Sequence, residues 1–156
     1  MGQIESVRER CREVAERARY VHIAQERIPA YAAALPLEQA VCPTHDPDTH
    51  FLGHGEATVA FFLTLDAINF GSGYFPHLRK RPGMSGYYTV AASLNDLYRA
   101  QGPLTAAQLT GLTAQDCAGI FGQDLSDPAI RELMALFAQA LQDLGHFLED
   151  RFGGRF

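Results

Sequence analysis

Eight apolar residues, Ile130, Leu133, Met134, Phe137, Leu141, Leu144, Phe147 and Leu148, recur at intervals of three and four near the C-terminal end of the chain. That spacing places them on one stripe of an α-helix, and a helix of this length must bury such a stripe against other elements. Its ends are marked as well. Asp127 stands at the N-cap and Pro128 at the first helical position, where a missing N–H costs nothing, and Gly153-Gly154 provides the stop. The rest of the chain has to supply the surfaces that cover this stripe.

Those surfaces are also helical in pattern. Near the N-terminus, Ile4, Val7, Cys11, Val14 and Ala18 form an apolar stripe among Glu and Arg pairs at helical spacing, giving an amphipathic helix. Tyr20-Val21-His22-Ile23 shifts to short alternation, and Pro29 opens a brief second helix through Leu35, ended by Pro36. Thr89 to Ala100 reads as a core helix with Val90, Leu94, Leu97 and Tyr98 on one face, stopped by Gly102-Pro103. The segments LTAAQLTGL and LTAQDCAGIFG each begin with Leu-Thr, where threonine caps a short helix, and each ends at glycine. No strand pattern of convincing length is present. The expected fold is all-α, with residues 1–156 as a single helical domain.

The stretch from Ala57 to Tyr88 carries the chemistry. An apolar run through Val59, Phe61, Phe62, Leu63 and Leu65 holds a carboxylate, Asp66, and is followed by an amide, Asn69. An ionised carboxylate in an apolar run must be paired, hydrogen-bonded or turned toward a polar cavity. On a helix, Asp66 and Asn69 share a face directed at the glycine-rich turn beyond them. Phe70, Tyr74, Phe75, Tyr87 and Tyr88 bracket that turn, so a flat, partly polar ligand fits between rings, although the same tyrosines also read as core aromatics. Asp66 and Asn69 read either as braces of the turn or as ligand contacts, and Asp66 is the one candidate for a catalytic group. The basic run His77, Arg79, Lys80 and Arg81 reads as a solvated loop or as a phosphate contact through Arg79 and Arg81.

Residues 36–56 read as loop. His45, His50 and His54 gather there beside Asp46 and Asp48, but the spacing matches neither HExxH nor a Cys/His finger, so no metal is expected. His50, beside Phe51, is expected to reach a ligand as a hydrogen-bond donor, whereas the isolated His22 reads as a half-buried surface histidine. Cys11, Cys42 and Cys117 are odd in number and lack CxxC spacing, the usage of a reducing cytosol. A net charge of −5 argues against a broad nucleic-acid surface. No secretory apolar segment and no membrane-spanning run is present, so a cytoplasmic protein is expected.

FFLTLDAINF, then SGYY, then LTAQDCAGIFGQD, then the helix ending LGHFLEDRFGG resemble, in order and spacing, the N-terminal half of the queuosine salvage family. The earlier Tyr20-Val21-His22-Ile23 is similar to that family's aromatic-Val-x-Ile segment. The resemblance implies a helical fold related to helix-hairpin-helix DNA glycosylases. It also implies an enzyme that hydrolyses the N-glycosidic bond of queuosine 5′-phosphate to release queuine, without a cofactor. The small-molecule partner is then this nucleotide or queuine. Such chemistry passes through an oxocarbenium-like sugar, so it needs a carboxylate near the anomeric carbon, support for the leaving base and a hold on the phosphate. The family extends past the position of Phe156, with Lys-Arg-Ala-Gln and Phe-Ala-Asp-Tyr segments, the latter bearing the expected catalytic aspartate. Neither occurs here, so the chain is expected to lack the catalytic C-terminal half. Substrate-binding residues under this reading are His50, Asp66, Asn69, Phe70, Tyr74, Tyr87 and Tyr88. The alternative is a non-catalytic helical module that binds a queuosine-type nucleotide or a partner protein.

Overall fold

A computed structural model describes residues 3–41 and 44–156. Cys42, and the side chain of Ile4 in the N-terminal stripe, lie outside the described residues. All regular structure among the described residues is helical, and the backbone divides into two compact units, Met1–Pro43 and Thr44–Phe156.

In the first unit, α1 (Gln3–Arg17) carries an Arg17–Glu13 ion pair at 2.7 Å, one turn apart on an exposed face. A 3₁₀ turn at Gln25–Arg27 leads into α2 (Ile28–Ala33), where Pro29 sits in the first turn as its fixed φ favours. A second 3₁₀ turn covers Leu37–Gln39. None of the unit's side chains described here is buried, and Val7 and Val14 of the α1 stripe stand exposed.

The second unit is built on α7 (Pro128–Phe152). The Asp127 carboxylate accepts the Ala129 N–H at 2.8 Å, Pro128 follows, and Gly153 at φ 61° ends the helix, with Gly154 N–H bonded back to the Leu148 carbonyl. Ile130, Leu133, Met134, Phe137, Leu141 and Leu148 are buried as their spacing predicts. Phe147 departs from the expected stripe at 53% exposed, and Leu144 is half-buried. Fully burying side chains such as Phe137 or Leu133 stabilises by roughly 1.5–3 kcal/mol each.

Helices α5 (Ala106–Thr110) and α6 (Ala114–Phe121) pack on α7. Each begins with a reciprocal capping box, Thr105 with Gln108 and Thr113 with Asp116, so the two Leu-Thr signals hold. The α5–α7 approach is close enough that a Cβ on Gly145 would lie 2.8 Å from the Ala106 carbonyl oxygen. Glycine is required there by contact rather than by backbone angle.

Helix α4 (Gly86–Gln101) packs against α3 (Glu56–Ala67) and α6. It starts three residues earlier than the sequence suggests, because the Ser85 hydroxyl accepts the Tyr88 N–H and caps it, which draws Tyr87 and Tyr88 into the first turn. Between α3 and α4, the Thr64 hydroxyl meets the Tyr98 hydroxyl at 2.8 Å and Tyr98 donates to the Ala60 carbonyl at 3.2 Å, so both buried hydroxyls are satisfied. Two local expectations are corrected. Helix α3 buries Ala60, Phe61, Thr64 and Leu65, which leaves Asp66 on the exposed side rather than desolvated. The helix also closes at Ala67 with Ile68 as its cap, so Asn69 lies beyond it, and it is the Asn69 N–H that bonds the Asp66 carbonyl, at 3.2 Å.

Candidate functional site

The densest polar arrangement in the second unit grows from a tight turn at residues 46–50. The Asp46 carbonyl accepts from the N–H groups of Thr49 and His50 at 3.0 and 2.8 Å, and the Asp46 carboxylate accepts from Asp48 N–H. From α4, Asn95 Nδ2 reaches the Pro47 carbonyl at 2.9 Å and Arg99 donates to the same oxygen, fastening the turn to the helix. Asn95 is buried, and its Oδ1 has no hydrogen-bond partner.

This anchoring delivers His50 into the interior at 6% exposure. Its Nδ1 lies 2.9 Å from the Thr49 hydroxyl and its Nε2 lies 3.1 Å from the Tyr87 hydroxyl. The Phe62 ring stacks on it at 5.8 Å, the Tyr88 ring meets it edge-on at 6.4 Å, and the His45 ring lies 4.9 Å away. Burial, reinforced by neighbouring His45, lowers the His50 pKa and favours neutral imidazole. Burial raises the Tyr87 pKa, with the nearby Asp66 charge and then Tyr88 adding to the effect, so the phenol stays protonated. Four predicted substrate-binding residues, His50, Asp66, Tyr87 and Tyr88, are thus neighbours.

Phe70 and Tyr74 take a different seat, against α7. The Phe70 ring meets Phe137 edge-on at 5.3 Å, and the half-buried Tyr74 has its pKa raised by desolvation and then by a hydrogen bond to Glu132. Gly71 makes this possible: it adopts φ 84°, and a Cβ there would lie 2.6 Å from Leu133 Cδ1. Asn69, exposed, lies in the same turn.

The basic run forms one wall of a cleft of about 420 Å³, lined by Arg79, Lys80 and Arg81 together with Thr89, Ser93 and the Gly119–Gly122 end of α6. Gln123 clamps the Arg79 backbone, accepting its N–H at 2.9 Å and donating to its carbonyl at 3.1 Å. Arg81 is held on both sides, its N–H on the Thr89 hydroxyl at 3.1 Å and its guanidinium on Asp96 at 2.8 Å. Arg79 lies near Asp124, whose carboxyl is held low mainly by hydrogen bonds to Ser126. His77 pairs at 3.1 Å with Asp127, the cap of α7.

The carboxylates that shift do so downward. Asp116 is held by Thr113, Asp124 by Ser126 and Asp127 by the Ala129 N–H, so Asp116 and Asp127 serve helix starts and Asp124 a turn rather than acting as proton donors. Burial pushes the Cys117 thiol up to about 12, which removes it as a nucleophile. Among the described residues no group of three or more His, Cys, Asp or Glu side chains is placed to hold a metal ion, and no helix is long and apolar enough to cross a membrane. Sequence reasoning missed Thr49, Thr89, Asn95 and Gln123. Only Asn95 gave a signal, as an amide on the apolar side of α4 among Ala91, Leu94 and Tyr98.

No protein-family model matches the chain. A curated protein of Sphaerobacter thermophilus, the queuosine 5′-phosphate N-glycosylase/hydrolase, is 33% identical over 149 residues, which covers 93% of this chain. The chain spans 45% of that relative's length, a share consistent with an N-terminal half. The resemblance to the queuosine salvage family read from the sequence is borne out: the chain is a homologue of this hydrolase.

Proposed function

We propose that this chain is the substrate-recognising part of an enzyme that hydrolyses the N-glycosidic bond of queuosine 5′-phosphate, releasing queuine for reuse in tRNA. The observation that carries this reading is the 33% identity, maintained over 93% of the chain, to a protein named for that reaction. In this account Asp66, Tyr87 and Tyr88, with His50 behind Tyr87, face the base. Arg79 and Arg81, with Lys80 between them, hold the 5′-phosphate in the cleft beside Thr89. Asn69, Phe70 and Tyr74 border the ligand from the turn that packs on α7. The catalytic carboxylate is supplied by the part of the relative that this chain does not span, and the enzyme works in the cytoplasm without a cofactor. The short α5–α6 pair, capped by threonines and ended by glycines, supports the helix-hairpin-helix ancestry.

Calorimetric titration with queuosine 5′-phosphate and with queuosine tests the division of labour. Arg79→Ala is expected to weaken the nucleotide by about tenfold, the scale of one charge-assisted contact, and to leave the nucleoside unchanged. Equal loss for both ligands contradicts the phosphate assignment.

A second reading, a non-catalytic module that docks a partner protein, is favoured by the outer side of α3. Val59 and Leu63 are 48% and 42% exposed on a helix that is apolar on nearly every side. This reading predicts a stable complex with a protein partner in the absence of nucleotide.

A further inference from the structure

The first unit is a helical segment without a core of its own. Of its described side chains only Ser6 and Ala18 are even partly covered, and apolar residues along its length stand exposed, Val14 and Val21 at 70% and 69%. Helix α1 has 15 residues, a length at which an isolated helix is marginal in water, and units of about 40 residues usually need a disulfide, a metal or a partner. The exposed side chains are also gathered rather than scattered. Cys11, Val14 and Ala18 of α1 join Val21 and Ile23 in an almost wholly apolar groove of about 530 Å³. Beside it, Arg12, Glu16, His22 and Gln25 give a polar margin. An apolar floor with a polar margin receives the apolar side of an amphipathic helix.

The Sphaerobacter thermophilus relative carries this segment too. The match covers 93% of the chain, more than the second unit alone supplies, so it takes in part of the first unit as well. There the segment belongs to a polypeptide more than twice as long, of which this chain spans 45%. We propose that the groove is the docking surface for an amphipathic helix of the polypeptide corresponding to the unspanned part of the relative, so that α1 and residues 21–23 tie the catalytic part to this chain. The inference rests on the proposed function for the identity of the partner, whereas the need for a cover follows from the missing core.

The test co-expresses the full chain with the unspanned part of the Sphaerobacter relative. Amide hydrogen exchange of residues 5–23 is compared in the chain alone and in the complex, and queuine release from queuosine 5′-phosphate is followed on the same preparation. The expected result is an equimolar complex in which exchange over residues 5–23 slows about tenfold or more. Val14→Glu and Val21→Glu, each placing a charge in the groove, should weaken association about tenfold or more. Both positions are exposed in the chain alone, so neither change disturbs its folding. Leu63→Glu, on the outer side of α3, should leave association unchanged. Exchange that is already slow in the isolated monomer, or that slows only as the chain is concentrated, overturns the proposal, the second result by assigning the groove to another copy. So does a complex in which these residues exchange as fast as before, or one that Leu63→Glu breaks and Val14→Glu does not. Should the separate polypeptides form no complex, the intact relative decides: fast exchange in its segment matching α1 overturns the proposal, and slow exchange supports it. Queuine release with the groove still uncovered overturns the docking surface and leaves the functional reading standing. A covered groove without release does the reverse.

Discussion

The Tyr87 hydroxyl lies 3.1 Å from Nε2 of the buried His50, joining an irregular loop to the first turn of α4 across 37 residues of sequence. Removing the hydroxyl leaves a buried imidazole nitrogen without a partner. Tyr87→Phe is expected to cost about 1–3 kcal/mol, more than the loss of an exposed hydrogen bond, as measured by urea unfolding. A change indistinguishable from zero would mean that water replaces the phenol.

Burial makes the same histidine a source of acid sensitivity. Its folded pKa lies below the ordinary value of 6.5, so between the two values the unfolded chain binds more protons than the folded one. Stability therefore falls as pH drops from about 6.5 through the folded pKa and levels off below it, with His45, Asp46, Asp66, Tyr87 and Tyr88 as the titratable neighbours. The difference in unfolding free energy between wild type and His50→Gln should shrink over that interval. A difference that stays constant with pH contradicts the buried neutral state.

Gly145 reports on the seam between α5 and α7. Alanine is the better helix former by about 1 kcal/mol, but its Cβ would meet the Ala106 carbonyl and the Thr110 backbone nitrogen at 2.8 and 2.9 Å. Both are backbone atoms that cannot swing away, so Gly145→Ala should destabilise by about 1–3 kcal/mol in chemical denaturation. A stabilised variant would place the two helices farther apart.

Asp66 is where stability and recognition part. It is exposed at the end of α3, so Asp66→Asn should leave the unfolding midpoint within the roughly 0.5 kcal/mol scatter of surface substitutions while weakening queuosine 5′-phosphate binding in calorimetry. Loss of folding would restore the bracing role that the sequence suggested.

The helix ends were legible because they are local. Thr105, Thr113 and Asp127 each bond an N–H two or three residues away, and Gly102 and Gly153 take positive φ where the helices stop. The inner side of α3 was not legible. Its run is apolar on almost every face, so periodicity gave no direction, and the contacts of Ala60, Phe61 and Thr64 with Tyr98 of α4 settle which side is inside and leave Asp66 out. His50 and Tyr87 could each be singled out by type, but nothing local joins them, and Thr49, whose hydroxyl lies 2.9 Å from His50 Nδ1, has no feature that marks it in the sequence. Phe147 was misplaced for a related reason: it fits the helical period, but the packing around Gly145 and Leu148 leaves it at the edge of the buried side.

The most direct test incubates the purified chain with queuosine 5′-phosphate, recording nucleotide binding and free queuine by mass spectrometry on one sample. The account predicts saturable binding without queuine release, and release once the polypeptide corresponding to the rest of the relative is added. Absence of binding would contradict a recognition site in this chain, and release by the chain alone would contradict the placement of the catalytic carboxylate outside it.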